Sequence, residues 1–265
     1  MKALVLNIAA LVSLIPGTLA HRRRAAGRDG VFWTTLAVAI AGSVSWTAAM
    51  LQGGWHTGFA VALWVGIVAS LLVFAATAAL ARQAWRLAPL MLGYLVLLAL
   101  VATVWAHAPE RPLSPQAPAV WLRAHIIVSL LTFGLLTNAA VAGTAVLLRE
   151  WALKAKRRAP VIAILPAVTE CERLEFALVA AGEVVLGLGL LTGMATLYLE
   201  QGRLLTLDHK TVLSLLAFAV IAALIAAHRL TGVRGRRAAR GLLVAYALVM
   251  LAYPGVKFVT DVLIG

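Results

Sequence analysis

Asp208-His209-Lys210 opens the run Thr211 to Ala227, TVLSLLAFAVIAALIAA, which contains no charged residue. A strand of ordinary length could not use such a run, and no polar face recurs in it at helical spacing. It reads as a helix surrounded by lipid, with an acid, an imidazole and a base at its mouth. Working outward, the same pattern repeats along the chain. The apolar runs are 2–20, Val31 to Leu51, Thr57 to Ala81, Leu87 to Ala106, Trp121 to Leu148, Phe176 to Tyr198, Lys210 to Leu230 and Arg240 to Leu263. Each approaches the roughly 20 residues that cross a bilayer core of about 30 Å.

Composition agrees. The 265 residues are 63% hydrophobic and 12% charged, with mean hydropathy +0.96, whereas a soluble domain carries about 25% charge. Backbone groups in lipid must be satisfied within the segment, so an all-α, polytopic integral membrane bundle of eight transmembrane helices is expected, with 1–265 as one transmembrane domain. The net charge of +13 comes from short basic clusters between apolar runs, which is a topology signal rather than a nucleic-acid one. No nucleic-acid partner is expected; membrane lipids are.

Alternate loops differ sharply in Lys and Arg. The loops after the first, third, fifth and seventh runs hold 17 of the 23 bases; the rest are Lys2, Arg111, Arg123, Arg203, Lys210 and Lys257. The base-rich side reads as cytoplasmic, which puts both termini outside, at the periplasmic face of a bacterial inner membrane. Lys2 and the small residues of Thr18-Leu19-Ala20 also fit a signal peptide. Arg22, Arg23, Arg24 and Arg28 follow at once and resist export, so an uncleaved first helix is the expectation.

A single cysteine, Cys171, leaves no internal disulfide, no CxxC pair and no CxxCH haem attachment. GxxxxGK[ST], HExxH and GxSxG are all absent. A binding protein is therefore expected rather than an enzyme. Between runs four and five, Pro109, Pro112, Pro115 and Pro118 recur every third residue, the polyproline II spacing. Between runs five and six, Arg149, Lys154, Lys156, Arg157 and Arg158 precede Glu170, Glu172 and Glu175. Thr169 with Glu172 has capping-box spacing, predicting a helix start there.

Of six histidines, His56, His107, His125 and His209 fall at the base-poor ends of runs. His125 and His209 each begin a helix, where the positive end of the dipole favours neutral imidazole, the form a metal ligand takes. Asp208 can cap the seventh helix or orient His209. His125, Ser129 and Thr132 share one face with Trp121 a turn earlier, a stripe that suits the edge of a flat cofactor or a polar contact between helices. Arg123 and Lys210 lie beside the two histidines and could meet the propionates of haem or snorkel at the interface. Lys257 has Asp261 one turn later, while Glu183 has no local mate and marks a polar contact or a proton step. Gly182, Gly187, Gly189 and Gly193 permit close packing, and Pro254-Gly255 predicts a break in the last helix. Together these features predict a pocket at the base-poor end, bounded by runs five to eight.

Several blocks recur in family order: Trp121 through His125-Ile-Ile-Val-Ser-Leu-Leu to Leu153-Lys154, Leu165-Pro166 with Glu172-Arg173, Leu190-Leu191-Thr192-Gly193, Asp208-His209-Lys210-Thr211-Val212-Leu213-Ser214, Gly235-Arg236-Arg237-Ala238, and Leu251-Ala252-Tyr253 with Gly255. In them the chain resembles the cytochrome c assembly family of haem-handling inner-membrane proteins, the Ccs, CcmC and HemX types. The resemblance implies non-covalent haem b with His125 and His209 as axial ligands to its iron. On the reading of the residues above, Arg123, Lys210, Trp121 and Asp208 would lie around that cofactor, and other cytochrome c assembly or haem-biosynthesis proteins are the expected partners. The tryptophan-rich WGxWWxWD segment of haem-presenting members is absent, and Trp46, Trp55, Trp105 and Trp121 are scattered. The likeness is thus to the smaller inner-membrane members, and haem binding rather than direct delivery to an apocytochrome is the expectation. Two other readings stand beside it: an ion or small-molecule transporter using Glu183 and Lys257, and a regulator of haem biosynthesis acting through Arg149 to Glu175.

Overall fold

The structure, a computed structural model, describes residues 2–20, 27–52, 56–108, 111–112, 119–156 and 160–264. Helices α1 (Lys2–Ala20), α2 (Gly30–Met50), α3 (Phe59–Leu80), α4 (Ala88–Val104) and α5 (Ala119–Lys154) come first. They are followed by the short α6 (Pro160–Ile164), then α7 (Val168–Gln201), α8 (His209–Thr231) and α9 (Arg236–Met250). Seven helical segments among the described residues are long and apolar enough to cross a membrane, so this is a multi-pass membrane protein. The helix α1 is shorter in its apolar part, Ala3–Thr18, and packs against α2 and α4. Two-residue strands β1 (His56–Thr57) and β2 (Arg111–Pro112) pair antiparallel at the base-poor end, a feature the apolar runs did not announce. The rest of the proline repeat lies outside the described residues, as do Arg22, Arg23, Arg24, Trp55, Arg157 and Arg158.

α5 and α7 overrun their apolar runs. Thirty-six residues span about 54 Å at 1.5 Å each, far more than the hydrocarbon core, because hydropathy marks only the lipid-buried stretch. α7 starts at Val168, eight residues before Phe176, and buries Cys171, Leu174 and Glu175. The capping box does not form. Ala167 is the N-cap and no side chain caps the helix, since Pro166 ends the preceding loop and Thr169 is already inside the first turn.

Close approach at small residues lets the large apolar side chains of α5, Phe133 and Leu136, pack against its neighbours. A Cβ on Gly134 would sit 2.9 Å from the Ala69 carbonyl oxygen of α3, and one on Gly182 of α7 would sit 2.8 Å from the Leu136 side chain. Small residues give membrane helices this proximity, and a larger side chain at either position forces them apart. Asn138 adds a polar pin, donating to the Ser70 carbonyl at 3.1 Å and to Gly134 at 2.8 Å. The hydroxyls of Tyr94, Tyr246 and Thr137 join α4, α9 and α5 at 2.7 and 3.0 Å. Such groups have no water to fall back on in lipid, which makes each bond specific to this packing.

The last helix does not break at Pro254-Gly255. It widens into π-type turns over Leu251–Gly255 and Val259–Leu263 on either side of Val256–Phe258. The ring of Pro254 cannot accept a tight α turn, and widening takes up the strain while the chain stays helical. Wide turns of this kind commonly re-aim side chains at functional sites. Tyr253 and Lys257 are so aimed.

Candidate functional site

Between α3, α5, α7, α8 and the widened last helix lies a cavity of about 270 Å³ at the base-poor end. His125, Ser129 and Thr132 from α5 line it, as do Gly189 and Leu190 from α7, Lys210 and Ser214 from α8, and Tyr253 and Lys257. The three α5 residues fall together because their spacing of four and three keeps them on one helix face. The predicted pocket therefore exists where it was expected, and its wall is completed by Thr57 of β1, Gly58, and Val61 and Ala62 of α3.

His125 is tied across the cavity wall to α7. Its Nδ1 lies 3.2 Å from Thr192 Oγ1, and that hydroxyl directs its own proton at the carbonyls of Leu188 (2.9 Å) and Gly189 (3.1 Å). With the threonine oxygen accepting from an Nδ1–H, Nε2 keeps its lone pair. Gly193 makes room: a Cβ there would lie 3.1 Å from His125 Cε1. Neither Thr192 nor this use of Gly193 was visible as a histidine partner in the sequence. The signal was present only as Thr192-Gly193 one turn past Gly189.

Lys210 and Lys257 bring two ammonium groups to the same cavity. Lys257 Nζ also lies 3.8 Å from Asp261 Oδ2, the partner its spacing predicted, and Thr260 Oγ1 donates to Asp261 Oδ1 at 2.9 Å. Asp208 caps α8 as expected, accepting from the Thr211 N–H at 2.7 Å. Its slight burial pushes the carboxyl pKa up, but the hydrogen bonds from Thr211 and the charges of Lys210 and His209 together hold it below its ordinary value.

Other predicted residues are not brought into the cavity. His209 and Asp208 are exposed, as are Arg123 and Trp121, and none of the four is among its lining. His209 precedes Lys210 by one residue, and one residue is about 100° around a helix; Lys210, itself still exposed, lines the cavity and His209 does not. His107 is exposed, while His228 stacks on Phe176 at 4.0 Å near the opposite end of the bundle. Glu183 buries both carboxylate oxygens without a hydrogen-bond partner among the described residues. Three or more metal-ligating side chains do not converge anywhere in the described part of the chain.

The fold and site thus define a multi-pass helical membrane protein whose base-poor end carries a histidine cavity flanked by two lysines. Sequence comparison gives the class a name: the family described as cytochrome C assembly protein matches residues 55–264. The chain belongs to that family, and every residue lining the cavity lies inside the matched segment. It is also similar to an Azospirillum brasilense protein described as an uncharacterized 28.8 kDa protein in the nifR3-like 5' region. The two are 49% identical over 267 residues, covering 99% of this chain and 98% of that one.

Proposed function

We propose that this protein binds haem b non-covalently at the outer face of a bacterial inner membrane, as a binding component of cytochrome c assembly and not as an enzyme. The observation that carries the reading is His125: it lines the cavity with Nδ1 tied to Thr192, between two lysines. A ligating histidine characteristically donates its other ring nitrogen to a fixed acceptor, which sets the tautomer and the ring plane. Haem needs an axial nitrogen, an apolar slot and cations for its carboxylates, and His125, the Leu122–Phe133 face of α5, and Lys210 with Lys257 suit these needs. When bound, haem supplies an iron centre whose properties these ligands tune.

The cavity is slightly smaller than the roughly 300–1,000 Å³ of sites that enclose a whole ligand. It suits one edge of a large flat molecule, with the remainder at the mouth where β1 and the first turn of α8 lie. His209 stands on that turn, and it serves as the second axial ligand in this reading. Both termini then lie outside, the alternation of Lys and Arg along this chain being the support. Partners would be other cytochrome c assembly or haem-biosynthesis proteins.

The test is the absorption spectrum of detergent-purified protein after haem titration. A bis-histidine spectrum is expected, abolished by His125→Ala and converted to a single-histidine form by His209→Ala. Failure of the wild-type protein to take up haem overturns the reading. If haem binds equally well to the His125→Ala protein, the site is elsewhere.

A further inference from the structure

At the base-rich end, remote from the histidine cavity, a cleft of about 890 Å³ opens between the α3–α4 junction and the start of α7. Arg82 and Arg86 line one side and Arg173 the other, with Glu170 the single carboxylate on its wall. Among the described residues none of these arginines is in an ion pair; Arg86 lies over the ring of Trp85 at 5.6 Å. Three guanidinium groups from two separate segments face one carboxylate, so the cleft is set for an anion.

A second observation points the same way. α7 begins at this cleft with Ala167, which lines it, as N-cap and with no side-chain hydrogen bond to its first turn. A 34-residue helix starting uncapped presents free N–H groups and the positive end of its dipole, the usual setting for phosphate. Glu170 offsets part of that field, and the arginines exceed it.

The walls say which phosphate. Leu80, Leu174 and Ala177 continue the cleft as an apolar surface, and Leu80 is 87% exposed. An inorganic ion has no use for that surface, whereas an acyl chain does. Gln83 adds a buried Oε1 that accepts no hydrogen bond among the described residues, which suits a head group carrying a hydroxyl donor beside its phosphate. We propose that the cleft is a binding site for an anionic glycerophospholipid of the phosphatidylglycerol class. The phosphate lies between Arg82, Arg86, Arg173 and the start of α7, and one acyl chain runs along Leu80, Leu174 and Ala177. Basic pockets between membrane helices at the cytoplasmic boundary commonly hold such head groups.

The test uses the full-length protein, delipidated in neutral detergent and titrated with phosphatidylglycerol or phosphatidylcholine while bound lipid is counted by native mass spectrometry. Phosphatidylglycerol should bind at least about tenfold more tightly than phosphatidylcholine, with about a fivefold loss for each arginine removed. Arg82→Gln with Arg173→Gln should therefore erase the preference. Arg82→Lys with Arg173→Lys should retain most of it, and Arg229→Gln, on α8, should leave it intact. Arg82 and Arg173 are exposed, so these variants should fold, and an unchanged far-UV circular dichroism spectrum checks it. Equal binding of the two lipids, or a preference that survives the double Gln variant, overturns the site. Displacement of the lipid by millimolar inorganic phosphate, with phosphate then retained, overturns the lipid assignment in favour of a free-phosphate site.

Discussion

Thr192 and Gly193 fix where the imidazole of His125 can be, and they do so from a helix 67 residues away. Thr192→Val keeps the shape and removes the acceptor for Nδ1–H. Loss of a partner of this kind typically lowers metal affinity by roughly 10–100-fold, and haem titration of the variant should show a drop in that range. Gly193→Val should act through space instead: even a Cβ stands 3.1 Å from Cε1, so the ring must turn and the bound-haem spectrum should change shape. Glu183 is the opposite case, a half-buried residue whose buried carboxylate oxygens have no hydrogen-bond partner among the described residues. An unsatisfied buried group costs about 1–3 kcal/mol, and Glu183→Met should raise thermal stability in detergent by that order without altering the haem spectrum. A transporter that used this carboxylate would instead lose uptake in proteoliposomes.

At the level of elements, the start of α8 is the informative one. Its cap was legible because Asp before a long apolar run has one strong local use, to accept from the N–H groups of the first turn. Asp208→Ala should cost about 0.5–2 kcal/mol, seen as faster hydrogen exchange at Lys210 to Thr211. The Asp208 carboxyl pKa is lowered in the fold. Its contribution is therefore complete above the unfolded carboxyl value and is lost as pH falls through the lower, folded one; acid should fray α8 first at this turn. The start of α7 was misread for a related reason. Thr169 and Glu172 have capping-box spacing, yet Pro166 and the packing of Cys171 and Leu174 let the helix begin earlier. Local spacing proposes a cap, and tertiary packing decides the frame.

Across the whole molecule, the arrangement of charge gives an orientation that can be measured. The lone Cys171 is buried, so native protein in intact cells should resist a membrane-impermeant maleimide. Arg203→Cys, at the base-poor end, should label from outside, and Lys154→Cys only after the membrane is permeabilised. The reverse pattern would invert the topology and place the histidine cavity in the cytoplasm. The two ends also differ in chemistry: a cavity with one imidazole and two ammonium groups at one, an arginine cleft at the other.

By itself the sequence determined the solvent, the helical class, the long apolar runs and the alternation of bases, because each depends on residues close together in the chain. It also determined the His125-Ser129-Thr132 face, the Lys257–Asp261 pair and the Asp208 cap, since helical periodicity relates residues three and four apart without any knowledge of the fold. Only the tertiary structure decided which of the neighbours His209 and Lys210 lines the cavity, that Thr192 holds His125, and that Tyr253 and Lys257 reach the same cavity through a widened helix. Those facts depend on the rotation of one helix against another. That rotation is set by glycine contacts such as Gly134 on Ala69 and Gly182 on Leu136, between residues far apart in the chain.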